Sequence, residues 1–256
     1  MRFLSLTRLS ILATLVFSFY SCQKKTEIFQ TDALSDYIPL AAGKYITYRL
    51  DSTVFPNFGR ATEIHSYEAK HVIESQITDN LGRPSYRVFC YLRDTAGTEP
   101  WVPSGSYFIT PLSNQVELSE DNLRFIKLRL PIKDGITWKG NKYISANPYE
   151  SLYSFSNDDN MEDWDYQFDG GSTSFSFGGK NYTDVYSIEE ANEAYNIPIV
   201  DPNAYASKTR AVEKYSKNIG LVYKEYELWE YQPNPGGSGG PFKTGFGIKM
   251  WMIDHN

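Results

Sequence analysis

The 256-residue chain is poor in the residues on which most recognisable chemistry depends. It has two cysteines and three histidines, so a thiol or imidazole metal cluster has few ligands to draw on. His65 and His71 fall on one predicted strand face but lie six residues apart. At strand rise that is ~20 Å, too far to share one metal, and His255 stands alone, so no metal site is expected. There is no long Lys/Arg run, and 25 bases stand against 31 acids. Phosphate binding needs clustered positive charge, which argues against nucleic acid as a partner. No run of ~18 apolar residues occurs, so no segment reads as a membrane helix. Helix signals are also scarce; the best is Ile188 to Tyr195, about two turns. What the chain does have is aromatic: 20 Tyr, 15 Phe and 5 Trp make 16% of it. Such residues suit pleated, half-buried surfaces and favour an all-β fold.

The amino-terminal segment carries an address. Arg2 and Arg8 give a positive start, and Leu9 to Tyr20 is apolar but too short to span a ~30 Å hydrocarbon core, the layout of a secretory signal over residues 1–21. Ser21-Cys22 followed by the polar Gln23-Lys24-Lys25-Thr26-Glu27 resembles the lipobox of bacterial lipoproteins. The resemblance implies cleavage before Cys22, a diacylglycerol on its sulfur, and, with Gln23 rather than Asp next to it, passage to the outer membrane. Acyl chains contribute about 0.8 kcal/mol per buried methylene, enough for two or three to anchor the protein. Residues 22–36 read as a polar tether and 37–256 as one β-rich domain. Loss of residues 1–21 leaves 23 bases and 31 acids, a charge of −8. With Cys22 lipidated only Cys90 remains, so no internal disulfide can form. Cys90 alternates with Tyr86, Val88 and Leu92, the pattern of a buried, inert thiol.

From Tyr37 onward, alternating runs separated by turns predict strands at Ile46 to Asp51, Thr62 to Thr78, Tyr86 to Arg93, Tyr107 to Leu112, Gln115 to Ser119 and Leu123 to Leu130. In the last of these Ile126, Leu128 and Leu130 alternate with Lys127 and Arg129. Further strands fall at Thr137 to Trp138, Trp164 to Phe168, Ser172 to Phe177, Asp184 to Ile188, Thr209 to Tyr215, Leu221 to Tyr231 and Gly245 to Ile253. Asp79-Asn80-Leu81-Gly82 reads as a hairpin turn. The expected fold is an antiparallel, strongly curved sheet or partial barrel, with a β-sandwich as the alternative and at most one or two short helices. The final strand is apolar on both faces, which predicts a covered, structural position.

Three phrases, Tyr37-Ile38-Pro39-Leu40 with Gly43-Lys44-Tyr45-Ile46-Thr47-Tyr48, Pro131-Ile132-Lys133-Asp134-Gly135-Ile136-Thr137-Trp138, and Lys214-Tyr215-Ser216-Lys217-Asn218-Ile219-Gly220-Leu221-Val222-Tyr223-Lys224-Glu225, resemble an uncharacterised group of β-rich lipoproteins of Bacteroidota-type bacterial envelopes. The resemblance implies a compartment and a β-rich fold and brings no reaction with it. In that lineage Asp51-Ser52-Thr53 and Asp94-Thr95-Ala96 are similar to a three-residue O-glycosylation signal, making Ser52 and Thr95 candidate modification sites at predicted strand ends or turns.

Motifs that carry chemistry elsewhere lack their context here. Gly236-Gly237-Ser238-Gly239-Gly240 fits the literal pattern of a nucleophile elbow, but prolines bracket it and a strand rather than a helix follows. The acidic stretch 157–165 is rich in oxygen ligands for calcium yet places Asp163 where an EF-hand needs glycine. Asn181-Tyr182-Thr183 is a sequon without meaning in a bacterial envelope. Glu63, Glu74, Glu225 and Glu227 lie on predicted strands, with no motif pairing any two for glycoside hydrolysis. The reading from sequence is a lipid-anchored outer-membrane protein with a non-catalytic binding or structural role, no catalytic residue and no cofactor. Its expected partners are the membrane, through the lipid, and a glycan or envelope protein. The alternatives are a glycan- or small-ligand-binding module using exposed aromatics, and a hydrolase with a carboxylate site.

Overall fold

The computed structural model describes residues 31–155, 160–234 and 239–256. It is nearly all β: one antiparallel sheet of β1 (Tyr45–Val54), β2 (Glu63–Thr78), β3 (Pro84–Arg93), β4 (Val102–Pro111), β5 (Gln115–Glu120), β6 (Leu123–Arg129), β7 (Thr137–Lys139), β8 (Asp165–Phe168), β9 (Thr173–Phe177), β10 (Lys180–Tyr195), β11 (Ala206–Ser216), β12 (Gly220–Gln232) and β13 (Phe242–His255). The order across the sheet is β6-β5-β4-β3-β2-β1-β13-β12-β11-β10-β8-β7, with β9 paired to β10 off that path. Two meanders, β1 to β6 and β10 to β13, are thus joined where β13 pairs with both β1 and β12. Both edges of the last strand are thus paired, and on its two faces Met250 and Met252 are buried while Trp251 packs edge-on against Phe177 of β9.

Curvature brings the terminal strands together. Ile126 of β6 donates its N–H to the carbonyl of Gly140, just after β7, at 2.8 Å, and the Trp138 indole donates to the Ile126 carbonyl at 2.8 Å. The approach depends on a missing side chain, because a Cβ on Gly140 would lie 2.4 Å from the Tyr166 ring. The sheet is therefore a nearly closed barrel, the curled architecture the sequence predicts.

Among the described residues helix is confined to single turns, α1 (Leu34–Tyr37) and α2 (Pro56–Gly59), with a 3-10 turn at Met161–Asp163. Asn57 and Phe58 of α2 have positive φ, 54° and 56°. Ile188 to Tyr195, expected as the best helix, is instead the second half of β10 and pairs with β11 on both sides of a bulge at Glu190. Good helix formers are overridden there by that pairing and by the burial of Ile188 in the core. The hairpin turn at Asp79 is built as expected. Gly82, at φ 75°, donates to the Asp79 carbonyl, while the Asp79 carboxylate accepts from the N–H groups of Leu81 and Arg83.

The packed unit starts earlier than Tyr37. Thr31 accepts the Ile132 N–H at 2.8 Å, Asp32 accepts the Tyr37 hydroxyl at 2.8 Å and pairs with Lys217 at 2.7 Å, and Leu34 and Tyr37 are buried. Residues 31–36, assigned to the tether from their polarity, thus pack as part of the domain. The same contacts draw together Tyr37, Ile132 and Lys217, one residue from each of the three phrases that carry the family resemblance.

Candidate functional site

Two β-bulges set the character of the barrel interior. In β6 the register passes from Val116↔Leu128 to Glu117↔Ile126, leaving Lys127 as the extra residue. In β10 it passes from Glu189↔Val212 to Ala191↔Ala211, leaving Glu190 extra. A bulge breaks strict alternation and re-aims a side chain. Both extra residues turn inward and meet: Lys127 Nζ lies 2.6 Å from Glu190 and 3.0 Å from Glu213 of β11. Alternation had placed Lys127 opposite the apolar face of Ile126 and Leu128; the bulge is why it faces the core instead.

All three groups are nearly inaccessible, with side chains 3–7% exposed. Glu213 also accepts the Tyr215 hydroxyl at 2.6 Å, and Lys224 of β12 stands 3.6 Å from it. Burial works against the Lys127 ammonium, but Glu190 and Glu213 outweigh it and hold Lys127 above its ordinary pKa. Burial raises Glu190, whereas Glu213 is lowered because Lys127 and Lys224 outweigh the same burial. The two carboxylates face each other across one ammonium, a buried charge network with its hydrogen bonds filled.

This network divides the interior into two cavities, with Lys127 and Leu118 in the wall between them. The smaller, about 90 Å³, lies beneath the cap formed by Ile38, Pro39 and Leu40. His71 lines it, sandwiched edge-on between Tyr48 and Tyr107 and bonded to the Tyr107 hydroxyl at 3.2 Å. Burial lowers this imidazole to about 4. The larger cavity, about 410 Å³, lies toward the β5–β6 hairpin. Its walls include Phe125, Tyr149, Tyr166, Tyr226 and Phe246, its depth holds Lys127, Glu190 and Lys224, and Glu120 and Asp121 are at the hairpin. Tyr149 and Tyr226 share a hydroxyl contact of 3.1 Å, and Tyr149 packs edge-on against Phe246. Ligand pockets for small organic molecules run from about 300 to 1,000 Å³, so only the larger cavity has the capacity.

The residues singled out from sequence fall elsewhere. Cys22 lies outside the described residues, as do Asn157, Asp158 and Asp159 of the acidic stretch and residues 235–238 of the glycine-rich motif. Among the described residues no three His, Cys, Asp or Glu side chains cluster as a metal site. Cys90 pairs with His71 across β2 and β3, and burial pushes its thiol up to about 12, which suits an inert core group. A bulge between Ile73 and Ser75 places Ile77 on the side opposite His65 and His71. Ser52 sits within β1 rather than at its end, and Thr95 is in the β3–β4 loop with its carbonyl accepting from Arg49 at 3.1 Å.

The four open acids are all occupied on the outside. Glu225 and Glu227 alternate with the cavity residues Lys224 and Tyr226, and hold Lys249 at 3.3 Å and Lys208 at 2.6 Å; Glu63 pairs with His65 and Glu74 with Arg87. Exposed aromatics are scattered as Phe58, Phe108, Tyr143 and Tyr195, and the stacked Phe175 and Phe177 are half-buried against Tyr223 and Trp251. Sequence reasoning missed the buried set Lys127, Glu190, Glu213 and Lys224, because nothing in a single sequence marks a bulge.

No protein-family model matches the chain, and no curated protein matches it. Among solved structures, a Vibrio parahaemolyticus domain described as an outer membrane lipoprotein-sorting protein aligns over 84% of this chain and 85% of its own, at 13% identity and a TM-score of 0.19. A likeness that weak adds nothing to the argument from geometry.

Proposed function

We propose that this chain is a lipid-anchored outer-membrane protein that acts without catalysis, by holding a small molecule in the larger barrel cavity. The carrying observation is that cavity: about 410 Å³, walled mainly by aromatic and aliphatic side chains, with a few convergent charges at depth. Binding is favoured over hydrolysis because the Lys127 ammonium stands between the two facing carboxylates, leaving neither to exchange a proton with a substrate. A glycan-binding outer face is disfavoured by the scatter of exposed aromatics. The outer surface of β10 to β13 carries ion pairs such as Lys208–Glu227 and Arg210–Glu189, where a membrane-spanning barrel presents an apolar band. That supports a barrel held beside the bilayer by its lipid rather than within it.

Titration with the neutral dye Nile red tests the cavity. A saturable fluorescence rise is expected, lost when Leu123→Trp fills the space and retained in Phe58→Ser, which alters only an exposed side chain of α2. Equal dye binding by Leu123→Trp and the parent would sink the reading. For the anchor, Cys22→Ser should release the protein from the outer-membrane fraction.

A further inference from the structure

We propose that the larger cavity takes an amphipathic molecule bearing one anionic headgroup, of which a medium-chain monocarboxylate is the simplest form, with the headgroup on Lys224 and the chain along Tyr149, Tyr226 and Phe246. The inference rests on the binding reading above and adds the ligand's charge and its direction in the cavity.

The two lysines differ in how closely they are held. Lys127 lies 2.6 Å from Glu190 and 3.0 Å from Glu213. The Lys224 ammonium makes no hydrogen bond among the described residues. Its carboxylate neighbour, Glu213 Oε1, stands at 3.6 Å and is already held by Lys127, while the other Glu213 oxygen accepts from Tyr215. An ammonium has three donors to place. Here they are on a side chain only 24% exposed, among cavity walls, where an anion competes with water far better than in bulk solvent.

The ion-pair geometry agrees. Glu213 is shared between two ammonium groups, Lys127 at 3.0 Å and Lys224 at 3.6 Å, so Lys224 has the looser hold on its one carboxylate neighbour. Around that ammonium the walls are apolar, which suits a hydrocarbon body and not a second polar group. Toward the opening stand Glu120 and Asp121. Glu120 pairs with Leu123, four residues or ~13 Å along β6 from Lys127, where solvent screens it from the deep site. Acids at that position repel a ligand with a second negative charge at its outer end. The cavity therefore has ammonium groups on one side and acids at the β5–β6 hairpin, and selects a single anion oriented with its headgroup on Lys224.

The test compares dodecanoate with dodecanol, which share a chain and differ in headgroup charge, by calorimetric titration of the purified protein near neutral pH. Dodecanoate should bind about tenfold or more tightly than dodecanol, the change expected of one charge-assisted hydrogen bond. Lys224→Met, which preserves the length of the side chain and leaves Glu213 bonded to Lys127 and Tyr215, should remove the preference, and Lys224→Arg should restore it. Equal binding of the two probes by the parent protein overturns the headgroup assignment while leaving the cavity reading intact, and does so whether or not Lys224→Met folds. A preference that survives in Lys224→Met overturns the role of Lys224. If neither probe binds while Nile red does, the ligand class is wrong; if Nile red fails as well, the cavity reading falls with it.

Discussion

The two cavities share a wall and differ in almost everything else. Beneath the cap, about 90 Å³ is lined by aliphatic side chains, tyrosines and a neutral, desolvated imidazole whose Nδ1 is bonded to the Tyr107 hydroxyl. On the other side of Lys127, about 410 Å³ is lined by aromatic and aliphatic side chains and by the Lys224 ammonium, whose carboxylate neighbour stands at 3.6 Å. The first resembles the ordinary imperfect packing of a wide barrel. The second has both volume and a cation without a close partner in the protein. What separates them is four charged residues, two of which point inward only because their strands bulge.

The comparison can be broken at its common structure first. Deleting Gly245 to Asn256 removes most of β13, the strand that joins the two meanders, and with it Phe246 and Ile248 of the larger cavity. No folded protein is expected, and a soluble, protease-resistant product with a β-type circular dichroism spectrum would contradict this. Next comes the partition. Glu213→Leu leaves Lys224 without a carboxylate and Lys127 with one, and should cost about 3–5 kcal/mol in urea unfolding, as breaking a buried ion pair does.

The small cavity has its own pH signature. His71 is held down to about 4 against a reference of 6.5, so the folded state favours the neutral ring. Its contribution is complete above about pH 6.5 and is lost as pH falls toward 4, a loss of about 3 kcal/mol at 1.36 kcal/mol per pKa unit. His71→Phe should flatten the stability curve across that window, measured by denaturation at successive pH values. At the seam, Gly140→Ala forces a methyl against Tyr166 and should cost about 1–3 kcal/mol. The smallest effect belongs to the large cavity: Tyr226→Phe removes the contact with the Tyr149 hydroxyl and should cost only about 1 kcal/mol, since water can reach the group left behind. A loss as large as that of Glu213→Leu would mean that the large cavity is as tightly packed as the partition.

Most of the architecture was legible because strands alternate with period two and their turns are marked by glycine, asparagine and proline. The Asp79 hairpin, the long β2 and the two-faced β13 follow from that pattern alone. The exception, Ile188 to Tyr195, has helical composition, and only its partner β11 makes it a strand. The interior chemistry was illegible for a related reason. Strict alternation assigns Lys127 to the solvent side, and one extra residue in the ladder reverses the assignment. No local sequence feature announces that residue. The acids visible from sequence, Glu225 and Glu227, proved to be the outward neighbours of the cavity residues, one position away from the chemistry.

The single backbone bond between Ile126 and Gly140 has a consequence beyond closure. A free outermost strand is a template onto which another polypeptide can add, and thereby a route to aggregation. Here the two outermost strands of a thirteen-member sheet turn toward each other, and one of them, β7, has only three residues. Opening that junction would expose Ile126 and Trp138 together, so the contact guards the protein's solubility more than its folding energy.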